Sequence, residues 1–383
     1  MTPEDLERLR AAARARTEST AALGARICAV PSPGGMERER AEFVAGLLRE
    51  QGYEPEIDAI GNVYTRRGSR GGPVVMVLAH IDTVFPIGTP IAVRREGDLL
   101  YGPGIGDNSI RVAAMIEALE ILDELGIETP ADIVAVADVG EEGLGNLRGA
   151  RAAVERYRDR LGAVVVLDAA LGAITHAAVG SKRWRVTVTG PGGHSYGAFG
   201  TPSAIHGLGR IIAAIADVVV PQDPKTTYNV GVIEGGTSVN TIAPRASALV
   251  DMRSTDAAAL DRLAARVREL VELRAGPGLE TTIEVVGERP AGARDRSDPL
   301  VQLADRAIRW IGLEPSYGAS STDANIPISL GIPAVVVGIT RSERTHTVDE
   351  FLEIPPIGDG LAQATRLIIE ATDLVASGGA RRS

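Results

Sequence analysis

The sequence predicts an α/β fold: a mainly parallel sheet flanked by helices and interrupted by an inserted, ferredoxin-like α+β domain. Three observations carry this. At 383 residues the chain is about two to three times a typical domain length, so one core is not expected. Four short β-branched runs, 74–79, 133–137, 163–167 and 334–337, read as strands buried on both faces and alternate with helical patterns such as 111–125 and 147–160. Between about 181 and 288 the rhythm changes to strand 184–189, helix 202–219, strands 228–233 and 246–253, helix 256–273 and strand 280–286. That order is the split βαβ pattern. The parallel pattern resumes at 300–310 and 332–338. The expected organisation is therefore a main domain in two segments, residues 1–180 and 289–383, with the insertion at 181–288 between them.

Composition removes several classes of function. Hydrophobic residues make up 44% and charged residues 23%, and no run approaches the roughly 20 apolar residues of a membrane span. The first ten residues mix acids with bases and lack the apolar segment of a signal peptide, so a cytoplasmic location is expected. Forty basic against fifty acidic residues give a net charge of −10, which repels nucleic-acid backbones. Aromatic content of 3% also leaves few stacking platforms for single strands. The single cysteine, Cys28, allows no intrachain disulfide and no thiolate metal cage, and in the apolar stretch 25–30 it reads as a buried thiol. The tail 376–383, rich in Gly, Ser and Arg, reads as disordered.

Chemistry gathers at the strand ends. The first run stops at His80-Ile81-Asp82, the second at Asp138 followed by Val139-Gly140-Glu141-Glu142, the third at Asp168, and the fourth leads to His346. Open α/β sheets bind ligands outside the carboxyl ends of their strands. Residues i and i+2 of a strand share a side, so Asp82 can accept from one imidazole nitrogen of His80 and leave the other for a metal. The same pair can also simply satisfy itself at a surface strand end. Asp107 closes the Gly-rich loop Gly102-Pro-Gly-Ile-Gly-Asp107, where a carboxylate either ligates or caps the next helix. It also occupies the third glycine position of a dinucleotide fingerprint, which therefore fails. Glu141 and Glu142 sit between Gly140 and Gly143 as either a solvated acidic turn or a ligand beside a general base. With Asp168 and His346, these histidines and carboxylates suit a pair of divalent ions such as Zn2+, with Co2+ or Mn2+ as substitutes.

Taken in chain order, Ala79-His-Ile-Asp-Thr-Val, Gly104-Ile-Gly-Asp-Asn108, Gly140-Glu-Glu-Gly-Leu-Gly-Asn-Leu-Arg-Gly149, Gly192-Gly-His-Ser195, Ser238-Val-Asn-Thr-Ile242 and Thr345-His-Thr347 resemble the successive motifs of the M20 metallopeptidase family of tripeptidases, carboxypeptidases, dipeptidases and aminoacylases. The resemblance implies a di-metal catalytic domain with an inserted lid or dimerisation domain. It makes Asp107 the bridging carboxylate, with His80 and Asp168 completing one ion and Glu142 and His346 the other. Asp82 would orient His80, and Glu141 would be the base. His194 would reach across a homodimer to hold the oxyanion, and Asn240 and Arg253 would bind the free carboxylate of a small peptide or N-acyl amino acid. The loop 320–325 matches a further family segment, whereas His176 and His206 match none and read as structural. One departure stands out. Many relatives place Lys and Gly after the bridging Asp, where this chain has Asn108-Ser109-Ile110-Arg111. Arg111 reads as a solvent-facing helix residue, with a contact to an acidic substrate as the alternative.

Gly193-His-Ser-Tyr-Gly197 also fits the nucleophile-elbow pattern, which admits a serine hydrolase using Ser195, Asp323 and His346. Its context is poor, because helical signals wait until about residue 202 rather than following the serine at once. A non-catalytic binding protein that keeps the fold is the third reading; it is expected to have lost a ligand or the base, and no matched position is missing.

Overall fold

The structure is a computed structural model that describes residues 1–68 and 71–379. It divides into two compact units, Met1–Ala178 with Ala293–Ser383, and Val179–Gly292.

The larger unit is built on one mixed sheet. Seven of its nine strands lie in the order Glu56–Ile57, Val63–Arg67, Asp132–Asp138, Val74–His80, Leu161–Ala169, Ala334–Gly338, Ala173–Ala178. The four central strands contain the four β-branched runs and are mutually parallel. Every residue of Val74–His80 and Asp132–Asp138 is buried, because helices cover both faces. Alternate side chains divide between two cores. Val75, Val77, Ala79, Ile133 and Ala135 pack with the helices Ile110–Glu124 and Ile357–Ala376. Val74, Met76, Leu78, Val134 and Val136 pack with Ala150, Val154 and Tyr157 of Arg148–Tyr157. Parallel register then carries the strand ends to one edge: His80 lies opposite Asp138, and Asp168 is the penultimate residue of Leu161–Ala169.

The last helix, Ile357–Ala376, closes the unit from the C-terminal side. Its Gly360 approaches the backbone so closely that an added Cβ would lie 1.8 Å from the Ile339 carbonyl oxygen. Gly360→Ala is therefore expected to destabilise this unit by about 1–3 kcal/mol, the usual cost of overpacking, read as a lower urea midpoint. Of the tail expected to be disordered, residue 376 belongs to this helix, while 380–383 lie outside the described residues.

The inserted unit has the order strand Gly180–Thr189, helix Ala204–Ala216, strands Thr226–Gly235 and Arg245–Ser254, helix Ala257–Arg274, strand Glu280–Arg289. The sheet runs Thr226–Gly235, Arg245–Ser254, Gly180–Thr189, Glu280–Arg289, each neighbour antiparallel. One face packs Trp184, Val186, Val188, Ala248 and Val250 against Leu208, Ile211, Leu260 and Val267 of the helices. This is the ferredoxin-like arrangement that the strand and helix order predicts. Among the described residues no helix is long and apolar enough to cross a membrane.

Candidate metal centre

The Asp107 carboxylate lies between two histidines. His80 Nε2 stands 3.1 Å from Asp107 Oδ1, and His346 Nε2 stands 3.2 Å from Asp107 Oδ2. Each ring has a second carboxylate of its own: Asp168 Oδ1 is 3.9 Å from His80 Nε2, and Glu142 Oε1 is 3.1 Å from His346 Nε2. Two triads result, His80–Asp107–Asp168 and Asp107–Glu142–His346, whose ligand atoms lie within 4.8 Å of one another in each. Glu141 joins His80 and Glu142 in a third such group. The donor set is imidazole and carboxylate without sulfur, which fits zinc, cobalt or manganese.

Local structure explains how these side chains are held. Gly104, in the left-handed region at φ 78°, turns the chain into the Asp107 loop. Glu350, fully buried, fixes that loop: Oε1 accepts from the amides of Gly106 and Asp107, both at 2.8 Å, and Oε2 from Gly104 at 3.1 Å. Asn108 Nδ2 ties the loop to the Leu167 carbonyl at 3.1 Å, just before Asp168. Arg40 donates to the Ile81 carbonyl at 3.0 Å and steadies the His80-Ile81-Asp82 end. His346 adopts φ 67° without being glycine, a conformation that persists only where surroundings impose it and that clusters at functional sites.

Asp82 has a more specific place than the strand-end pairing suggested. Its two oxygens accept the amides of Glu141 at 3.0 Å and Glu142 at 2.8 Å, so one carboxylate sets the turn that presents both glutamates. The His80 ring faces the Asp82 main-chain carbonyl at 3.1 Å, nearer than the Asp82 carboxylate at 3.6 Å. The ring is fixed through its Nδ1 and keeps Nε2 for the centre.

The electrostatics are those of crowded acids. Burial opposes ionisation of Asp107, yet hydrogen bonds from His346 and His80 hold it well below the usual carboxylate range. Glu142 is pushed up to about 7 by burial, with the Asp107 charge adding to it, and Asp168 is raised by burial and Asp107. Glu350 is also raised to about 7 by burial and Asp107, against the pull of its three amides. His346 is raised to about 9, chiefly by its hydrogen bond to Asp107. Buried carboxylates that resist ionising this close together are the setting that a bound cation relieves.

The structure also corrects one expectation. Arg111 does not face solvent: it is 6% exposed, and its guanidinium donates to Gly106 O, Asn108 Oδ1 and Ala169 O at 2.7, 3.0 and 2.9 Å. Cys28 is buried as read, donating to Pro103 O at 3.3 Å, with its thiol raised to about 12 by burial.

Asp323, a member of the alternative serine triad, is fully buried beside Asp138. Burial raises both carboxyls, Asp138 to about 7, and the neighbouring Asp138 charge adds to the shift at Asp323. His346 turns to Asp107 and Glu142 rather than to Asp323. Ser195 lies in a turn well ahead of the helix that starts at Ala204, so it is not on a strand-to-helix elbow.

In the inserted unit, Gly193–His194 pairs with Thr241–Ile242, and the Ser195 amide donates to Asn240 O at 2.9 Å. This brings His194 and Asn240 together. His194 Nδ1 accepts from the amides of Tyr196 and Gly197 at 3.3 and 3.2 Å, which places the ring proton on Nε2 of an exposed imidazole. Arg253 is elsewhere: it bonds Asp251 at 2.7 Å, opposite Ser181 and Thr227. That end of the strand is roughly 25 Å from the His194 end by antiparallel rise.

A pocket of about 340 Å³ opens beside Glu142, lined by Gly34, Thr83, Val84, Leu144 and Arg148 among others. Sequence reasoning did not reach Glu350 or this pocket, and it named Asp138 only as a strand end, without a partner.

The model of peptidase family M20/M25/M40 matches residues 76–370. The succinyl-diaminopimelate desuccinylase of Nitrosomonas europaea is 27% identical over 91% of this chain and 96% of its own length. Among solved structures, a tripeptidase from Staphylococcus aureus superposes with a TM-score of 0.79 at 22% identity, over 93% of this chain and 99% of that one. The aminopeptidase PepT of Bacillus cereus gives a TM-score of 0.76 at 24% identity, with the same coverage of 93% and 99%. The fold and the metal-type centre define a hydrolase of the metal-dependent peptidase and amidohydrolase class. The chain belongs to peptidase family M20/M25/M40.

Proposed function

We propose that the protein is a dinuclear metal-dependent amidohydrolase that cleaves a small peptide or an N-acyl amino acid next to a residue with a free carboxylate. The observation that carries this reading is the Asp107 carboxylate, whose two oxygens face separate histidine–carboxylate pairs. His80 and Asp168 would hold one ion, Glu142 and His346 the other, and Asp107 both. Such a pair, zinc by its donor set with cobalt or manganese as substitutes, polarises the scissile carbonyl and acidifies water.

The chain's own residues supply the rest. Asp82 turns Glu141 and Glu142 toward the centre through their amides. The Glu141 carboxylate takes the proton of the attacking water and passes it to the leaving amine. His194 Nε2 donates to the developing oxyanion. Asn240 and Arg253 bind the substrate carboxylate, Arg253 by its bidentate fork. Because the His194 and Arg253 ends of the inserted unit lie far apart, a homodimer offers a way for ends of two copies to serve one substrate. The outer strand Thr226–Gly235 supports such pairing, with Val232 and Ile233 45% and 59% exposed.

Hydrolysis of a panel of tripeptides, dipeptides and N-acyl amino acids by metal-stripped protein reconstituted with zinc, cobalt or manganese tests the reading. Turnover restored by metal is expected; turnover of none of these classes, or turnover indifferent to 1,10-phenanthroline, overturns it.

Proton linkage gives a second check. His346 is raised to about 9 by Asp107, and His80 is raised well above its ordinary value because Asp107 and Asp82 outweigh its burial. His346 is therefore protonated at pH 7 without metal, so loading displaces its proton and tightens as pH rises toward 9. Calorimetry at pH 7 in buffers of different ionisation heat is expected to read release of at least one proton.

A further inference from the structure

We propose that Arg111 is a fixed cation built into the centre, which weakens the ion held by His80 and Asp168 and makes that position the later of the two to fill. The inference rests on the two-ion reading above.

Arg111 is seated by uncharged acceptors. Nη1 donates to Gly106 O at 2.7 Å and Asn108 Oδ1 at 3.0 Å, and Nη2 to Ala169 O at 2.9 Å. These three acceptors, none of them a candidate ligand atom, hold the guanidinium beside a fourth, Asp168 Oδ1, which is one. From that seat Nη1 lies 3.4 Å from Asp168 Oδ1 and 4.0 Å from Asp107 Oδ1. Those are the same two oxygens that face His80, at 3.9 and 3.1 Å. The other Asp107 oxygen, Oδ2, faces His346.

The two positions share a ligand pattern, each with one imidazole, one carboxylate of its own and half of Asp107, but His80 is buried and His346 about half exposed. Glu141 adds its charge near His80 and Glu142 alike. Asp82 lies behind His80, but its oxygens are engaged by the Glu141 and Glu142 amides. Arg111 is a fixed cation on the His80 and Asp168 side of the centre. Its charge repels a second cation across a buried, weakly screened gap, and its hydrogen bond draws electron density from Asp168 Oδ1. The centre would hold one ion over a range of free-metal concentration and two only above it.

Stepwise titration of Co2+ into the metal-stripped full chain tests this by calorimetry. Arg111→Gln keeps a planar amide donor but removes the charge, and Arg111→Lys keeps the charge but removes the fork. Arg111→Gln is expected to tighten the weaker step about ten-fold or more, by Coulomb's law at short range, while Arg111→Lys leaves it near wild type. In the wild type, the first equivalent of Co2+ is expected to shift the ring resonances of His346 before those of His80, which decides the matter even if a variant fails to fold. Two unchanged steps in Arg111→Gln, a weaker second step, or His80 shifting first would overturn the inference alone. One ion in the wild type and in both variants would overturn the two-ion reading and the inference with it.

Discussion

Glu141→Gln lowers the turnover of amide hydrolysis by about 10²- to 10⁴-fold, the usual weight of a positioned general base. Glutamine keeps the size and the backbone of the loop, so the Glu141 amide still meets Asp82 Oδ1 at 3.0 Å. What it loses is the capacity to take a proton from the attacking water and return it to the amine. Glu141 is 6% exposed and shares a cluster with His80 and Glu142, so bulk water is a poor substitute acceptor. The loss should fall on kcat, with KM and bound metal little changed. Steady-state kinetics beside metal analysis on the same preparation separates the cases: full turnover in Glu141→Gln removes it from the proton path, and loss of metal would make it a ligand.

Asp107→Ala is expected to empty both metal positions, with affinity at each falling at least about a hundred-fold, since even supporting partners of a ligand are worth 10- to 100-fold. The physical reason is its shared placement, one oxygen toward His80 and the other toward His346. Glu142→Ala, by contrast, removes a carboxylate from one position and should leave about one ion bound. Metal analysis after gel filtration tells them apart: near zero for Asp107→Ala and near one for Glu142→Ala. Two ions retained in Asp107→Ala would show that Asp107 does not bridge.

Much of this centre was legible in the sequence because parallel strands buried on both faces read as unbroken β-branched runs, which fixes where each one stops. The stops at His80, Asp138 and Asp168 were therefore visible in the chain itself, as was the turn carrying Glu141 and Glu142. Arg111 was misread for an identifiable reason. An arginine is mostly exposed, but Ile110–Glu124 is buried at Ile110, Val112, Ala113, Ala114, Met115 and Ile116 in near succession, and a helix start that is apolar on every side of Arg111 has no solvent face to offer there. That pattern was the available signal. Glu350 had none, because its partners are the backbone amides of Gly104, Gly106 and Asp107, and amides carry no residue identity. Asp138 and Asp323 meet only through the tertiary fold, since the sheet end and the 320–325 loop are far apart in the chain.

Anomalous diffraction at the zinc edge from zinc-loaded crystals tests the two-ion centre most directly. Two peaks are expected, one with an Asp107 oxygen, His80 and Asp168 about 2.0–2.2 Å away, the other with the second Asp107 oxygen, Glu142 and His346 at similar distances. A single peak at saturating zinc, or two ions that do not share Asp107, would contradict it.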